Sequence, residues 1–219
     1  MPYKKAVIFD LDGTLWDSFS HVANAWNEVF EKHGLGSCWL KESKMRSLMG
    51  KTLPEFAAAL FPEKEEDAVL ELLNECCIHA NEILREHGCV LYEGVQTVLM
   101  ELGSRYGLFI VSNCQSGYIE AFLDYYEMGK LFADYECSGR TGMKKADNIR
   151  LIMERNKTEA AVYMGDTETD QAAAERAGIP FVHASYGYGT AKLPEGRINT
   201  IGELPELLDK IMERGKHHE

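Results

Sequence analysis

The sequence predicts an α/β protein built on a doubly wound parallel sheet, with an α-helical segment inserted after the first strand. Two observations predict this. Short β-rich runs at 5–9, 106–112, 160–164 and 181–184 alternate with helical stretches through the second half of the chain, and that alternation implies a parallel sheet with helices on both faces. Between the first run and the second, residues 18–88 contain little that reads as a strand.

The run 5–9 ends at Asp10, as expected of a buried strand that delivers its carboxyl end to a loop. Phe19, Val22, Ala23, Trp26, Val29 and Phe30 then recur at helical spacing. Stretches 53–60 and 68–84 are helical too, and Gly34, Gly36, Pro54 and Pro62 punctuate the segment. Trp26, Trp39 and Phe56 read as the core of this insertion. The α/β rhythm resumes with a helix at 95–102, the strand 106–112, a helix at 118–126 and a short strand within 132–137. A helix at 146–156, the strand 160–164, a helix at 169–177 closed by Gly178, the strand 181–184 and a last helix at 204–214 complete it. The expected division is a core of residues 1–16 and 90–219 and a helical cap of 17–89.

With 219 residues, 45% hydrophobic and 26% charged, the chain suits one substantial core plus a smaller appended unit. A net charge of −12 and a pI near 5.1 argue against nucleic acid and anionic membranes as partners. They leave room for a small anionic substrate, since a bound cation reverses the local field in one cleft. No apolar run approaches the roughly 20 residues that span a bilayer. The start, Met1 to Lys5, does not read as a signal peptide, so a cytoplasmic location is expected. Six cysteines without a C-x-x-C pair read as thiols rather than disulfides or zinc ligands, and the terminal Lys216-His217-His218-Glu219 reads as a frayed tail.

In open α/β sheets ligands sit beyond the carboxyl ends of the strands. The residues there are Asp10 and Asp12, Ser112 and Asn113, and Gly165 and Asp166. In Asp10-Leu11-Asp12-Gly13-Thr14, two carboxylates one residue apart can face one cleft. Like charges push one pKa up while a cation ionises the other, which separates a nucleophile from an acid/base. Gly13 permits a tight turn and close backbone approach to an anion.

These strings resemble, in order, the four motifs of the haloacid dehalogenase superfamily, whose phosphatases carry D-x-D-G-T/V. Ser112-Asn113 is similar to the second motif, Lys144-Lys145 to the third, and Gly165-Asp166-Thr167-Glu168-Thr169-Asp170 to the fourth. The resemblance covers essentially the whole chain and implies a Rossmann-like core with a helical cap. It implies that Asp10 attacks phosphorus to form an aspartyl-phosphate and that Asp12 is the acid/base. Mg²⁺ is implied on Asp10, the Asp12 carbonyl and Asp166, with Asp170 one step out, orienting metal waters or the lysine. Glu168 shares the loop, but the match selects Asp166. Gly13, Ser112, the Asn113 amide and one lysine are implied to bind the phosphoryl group. One alignment of the third motif selects Lys145 and another Lys144; spacing favours Lys145, leaving Lys144 a surface charge.

Arg46 and Lys51, flanking Met49-Gly50, fall where relatives carry a specificity loop and are candidates for a second anion. Tyr186-Gly187-Tyr188-Gly189 resembles a loop of phosphoglycolate phosphatase-like relatives. The implied activity is a Mg²⁺-dependent, phosphoglycolate phosphatase-like hydrolysis of a small phosphorylated metabolite, by a monomer or homodimer. The alternatives are β-phosphoglucomutase-like transfer, which also uses both aspartates, and non-catalytic binding of a phosphometabolite. Asp12 argues against dehalogenases and phosphonatases, and none of the cap lysines Lys32, Lys41, Lys44 and Lys51 has a distinctive context for the latter's Schiff base.

Overall fold

The computed structural model describes residues 3–214. The tail pattern 216–219 and the extreme start of the chain lie outside the described residues. Six parallel strands form the main sheet: β1 (Lys5–Phe9), β4 (Gly107–Ser112), β5 (Asp134–Cys137), β6 (Ala160–Gly165), β7 (Phe181–Ala184) and β8 (Gly196–Ile198). Their order is β5-β4-β1-β6-β7-β8. The chain winds outward from β1 through β4 to β5, then returns to β1's other side and winds outward through β6 to β8. The winding therefore reverses between β1 and β6, which is where a doubly wound sheet opens its crevice.

The central strands are apolar on both faces because both are covered. Val7 and Phe9 join one buried cluster, and Ala6 and Ile8 join the other with Phe109, Val111, Tyr163 and Phe181. The second face is covered by α8 (Lys145–Arg155) and α9 (Glu168–Ala177), which contribute Ile149, Ile152 and Ala174. On the first face lie α5 (Val95–Gly103), α6 (Tyr118–Tyr125) and α10 (Leu204–Arg214). No helix among the described residues is long and apolar enough to cross a membrane.

The insertion supplies α1 (Phe19–Lys32), α2 (Glu42–Arg46), α3 (Leu53–Leu60) and α4 (Glu66–His87). It is joined to the sheet domain through a small antiparallel ribbon, β2 (Trp16–Asp17) with β3 (Val90–Leu91), which sequence periodicity does not reveal at two residues per strand. Trp26 and Phe56 are buried inside it, and Trp39 stacks on Phe61 at 5.0 Å between ring centres. Helix α3 begins with a capping box, in which the Glu55 carboxylate accepts from Thr52 N at 2.7 Å. The apolar cluster runs without a break from Val7 and Phe9 into Trp26 and Leu73 of the insertion.

Further departures from the periodicity are short elements. Helix α7 (Ser138–Thr141), β8 and a 3-10 turn at Ile201–Glu203 carry too few residues to show a period. Because Ile8 is fully buried in the middle of β1, Ile8→Ala should cost about 2–5 kcal/mol. Urea unfolding of the two chains checks this.

Candidate active site

The backbone of Asp10 is fixed as β1 ends, its N–H donating to Met164 O at 2.8 Å. The chain then turns through Asp12 and Gly13, where Gly13 N donates to Trp16 O at 3.0 Å. Gly13 has φ +74, and a Cβ there would lie 2.7 Å from the Asp166 Cγ. The turn thus demands glycine for its conformation and for its nearness to the fourth-motif carboxylate.

Lys145 opens α8 and is buried, with Nζ 3.1 Å from Asp10 Oδ1 and 2.5 Å from Asp170 Oδ1. Lys144 is exposed and has no such partners. Asp170 is held by a second capping box. Its Oδ2 accepts from Thr167 N at 3.0 Å and Thr167 Oγ1 at 2.6 Å, while its own N donates to Thr167 Oγ1 at 3.2 Å. Both Asp170 oxygens are therefore committed, one to Lys145 and one to the start of α9. Glu168 faces outward and pairs with Lys192 at 3.3 Å.

Asp166 is fixed from the other side by the Tyr186-Gly187-Tyr188-Gly189 loop. Tyr188 N donates to Asp166 Oδ2 at 2.6 Å, and His183 Nε2 donates to Asp166 O at 3.0 Å. Tyr186 OH donates to Thr14 O and Tyr188 OH to Asp17 Oδ1, each at 2.8 Å. Gly187 lies against Gly13 O and the Asp166 side chain so closely that a Cβ would collide with both. His183 and Thr167 are missed by motif matching, although T-x-x-D before a helix is a legible capping signal.

Asp10, Asp166 and Asp170 each offer a carboxylate oxygen, and the three lie within 4.8 Å of one another. With Asp170 engaged by Lys145 and the start of α9, Asp10 and Asp166 are the members free to hold a divalent cation, and their oxygen chemistry suits a hard ion. The electrostatics fit as well. Burial first, then the Asp170 and Asp12 charges, push the Asp10 carboxyl up to about 7, against the pull of Lys145. Burial, then Asp170 and Asp10, hold the Asp166 carboxyl well above its ordinary range. Burial would lower the Lys145 ammonium, but Asp10 and Asp170 outweigh it and its pKa is raised. Asp10 Oδ1, though beside Lys145, receives no well-aligned hydrogen bond. One ammonium among four carboxylates leaves negative charge that a bound cation would neutralise.

The carboxylate of Asp12 is held apart from this cluster by residues the motifs do not name. Its Oδ1 accepts from Trp16 Nε1 at 2.7 Å, from Tyr118 OH at 2.8 Å and from Ser18 Oγ. Tyr118 OH also lies 2.8 Å from Ser18 Oγ, so its single proton serves either acceptor. Burial raises the Asp12 pKa, and the Ser18, Tyr118 and Trp16 hydrogen bonds pull it back part of the way. Tyr118 is distant in the chain and ordinary in sequence; only the fold brings it here.

Ser112 is buried at the end of β4. Asn113 joins the sheet domain to the cap, its Nδ2 donating to Gly50 O at 2.8 Å and its Oδ1 accepting from Ser138 Oγ at 2.9 Å. A cleft lined by Asp10, Asp12, Ser112 and Asn113 continues beneath the cap. Lys51 borders it, but Arg46 does not. The Arg46 guanidinium instead pairs with Glu42 at 3.1 Å and covers the Phe19 ring at 4.5 Å. A partner one helical turn away satisfies it first.

The family model described as "Haloacid dehalogenase-like hydrolase" matches residues 7–184. A phosphoglycolate phosphatase of Rhodobacter capsulatus is 29% identical over 220 aligned residues, covering 93% of this chain and 96% of the relative. One from Vibrio parahaemolyticus is 26% identical, with the same coverage of 93% and 96%. Among solved structures, a haloacid dehalogenase-like hydrolase from Bacteroides fragilis superposes with a TM-score of 0.79 at 23% identity, covering 92% of this chain and 99% of that one. CbbY from Rhodobacter sphaeroides, in complex with phosphate, gives a TM-score of 0.80 at 20% identity, covering 94% and 99%. These two structural likenesses speak to the fold alone.

A metal-binding prediction follows from the raised carboxyls. Asp10's folded pKa lies above its ordinary 3.8, so the stability it contributes is complete below that pH and is lost as pH rises through about 7. A divalent cation should therefore raise the melting temperature strongly near pH 7.5 and little near pH 5. At about 100 times Kd the gain should be about 2.7 kcal/mol, and Asp166→Asn should remove most of it. Scanning calorimetry with and without the cation checks both statements.

Proposed function

Because the chain belongs to the haloacid dehalogenase-like hydrolase family, we propose that it is a Mg²⁺-dependent phosphatase that hydrolyses small phosphate monoesters through an aspartyl-phosphate on Asp10. The family and the phosphoglycolate phosphatase relatives support the phosphatase class. The observation that carries the mechanism is the convergence of Asp10, Asp166 and Asp170 around Lys145 at the carboxyl end of the parallel sheet. Residues 17–89 act as the cap over a core of 1–16 and 90–219, closing the cleft and excluding water.

Asp10, the Asp12 backbone carbonyl and Asp166 would hold Mg²⁺, which when bound neutralises charge on the transferring phosphoryl group. The Asp10 carboxylate attacks phosphorus, and the bond from phosphorus to the ester oxygen breaks as the new one forms. Ser112, the Asn113 amide and Lys145 hold phosphoryl oxygens, while Gly13 lets the backbone approach. Asp170 acts through Lys145 and the start of α9, keeping the ammonium aimed at Asp10. Three donors occupy Asp12 Oδ1. The transferable proton is therefore carried by Oδ2, which gives it to the departing alcohol oxygen. Asp12 then takes a proton from water as that water attacks the phospho-aspartate, releasing inorganic phosphate and restoring Asp10.

Asp10→Asn should abolish metal-dependent release of p-nitrophenol from p-nitrophenyl phosphate; undiminished turnover would refute the nucleophile assignment. Asp12→Asn should lower kcat/KM for an alkyl phosphate by about 10²–10⁴ and affect p-nitrophenyl phosphate less, since p-nitrophenolate leaves without a proton. Tyr118→Phe should follow the same split at about tenfold, through a hydrogen bond to a charged group. Equal losses on both substrates would make Tyr118 merely structural.

A further inference from the structure

The cleft has two ends of opposite character. At one end are the carboxylates, Ser112 and Asn113; under the cap the wall is Val22, Trp26, Met45, Met49, Leu53 and Phe56. Two of the other polar side chains on this wall already have partners. Tyr118 OH bonds to Asp12 or Ser18, and Gln115 Nε2 donates to Asn81 Oδ1 at 3.0 Å.

Charge under the cap is equally one-sided. Lys51 is the one cation among the lining residues, and it is exposed. Its charge lies near Glu55, whose carboxyl is held below its usual range by the Thr52 N–H first and by Lys51 and Lys144 in lesser part. Arg46, the other cation of the same loop, is turned to Glu42. A second anion on a leaving group held under the cap would therefore lie against apolar side chains, with exposed Lys51 the one cation of that lining. Burying an unpaired anion in such a place is costly, whereas hydrocarbon there is stabilised by each methylene it buries.

Resting on the phosphatase reading above, we infer that the cleft takes phosphate monoesters whose leaving group is uncharged and apolar. It discriminates against leaving groups that carry a second anion, glycolate among them. Specificity of this kind comes as much from the unpaired charge of the rejected substrate as from contacts with the accepted one.

The test compares phosphoglycolate with its neutral methyl ester, which differs by one charge at almost constant leaving-group chemistry, with p-nitrophenyl phosphate as the reference. Phosphate release is measured with saturating Mg²⁺. The expected kcat/KM for the methyl ester exceeds that for phosphoglycolate by about tenfold or more, the scale of a pocket contact. Met49→Lys, which places a cation on the half-buried wall, is expected to raise phosphoglycolate turnover by about tenfold relative to the ester. Preference of the native chain for phosphoglycolate overturns the inference, as does a tenfold loss on phosphoglycolate alone in Lys51→Ala, which would make Lys51 a carboxylate ligand. Turnover of p-nitrophenyl phosphate alongside either result leaves the phosphatase reading standing. Absence of release from all three substrates overturns both.

Discussion

A buried ammonium between two buried carboxylates sets the terms for this molecule. Asp10, Asp12, Asp166 and Asp170 are drawn to one end of the sheet, and in a medium of low polarity they repel strongly. Lys145 sits between Asp10 and Asp170 and offsets part of that repulsion. The arrangement depends on α8 starting at Lys145, so that the side chain enters the sheet's end rather than solvent. It depends equally on the Thr167 capping box, which holds Asp170 where the ammonium needs it. A local rule of helix initiation thus becomes a long-range electrostatic one.

Much of this was legible in the sequence because parallel strands advertise themselves. The buried runs at β1, β4, β6 and β7 are apolar on both faces, so the residues that break each run mark where the crevice opens. That reasoning reaches Asp10, Asp12, Ser112 and Asp166, while Asp170, inside α9, came only through the resemblance to the fourth motif. Spacing favoured Lys145 over Lys144, and burial separates the two. The Asp12 clamp was not legible, because Tyr118 lies 106 residues from Asp12 and its hydroxyl has no sequence signature. Nor was the turning of Arg46 to Glu42, a contest between two partners that only geometry decides. The ribbon of β2 and β3 is too short for any period to show.

The cap is tied to the catalytic end through the same loop that follows β4. Asn113 reaches Gly50 O, Ser116 O accepts from Asn81 Nδ2 at 2.9 Å, and Gln115 bonds to Asn81. Groups that would touch the phosphoryl end are therefore one or two residues from groups that hold the cap in register. Helix α4 of the cap packs on α6, whose Tyr118 reaches Asp12. Displacing the cap would strain both the loop after β4 and the Tyr118 bond to Asp12, so the two ends of the cleft share one mechanical element.

The strap formed by Tyr186 to Gly189 has a bearing on how the chain folds. Tyr186 bonds to Thr14 across 172 residues, and Tyr188 supplies the amide that holds Asp166. The turn that follows β1 is thus completed by a segment far along the chain. Both strands that flank β1 lie earlier in the chain than the strap, so the sheet around Asp10 can form before Tyr186 and Tyr188 dock. Such distant closure slows folding. It also means that loosening this one strap would release the Thr14 turn and the Asp166 carboxylate together.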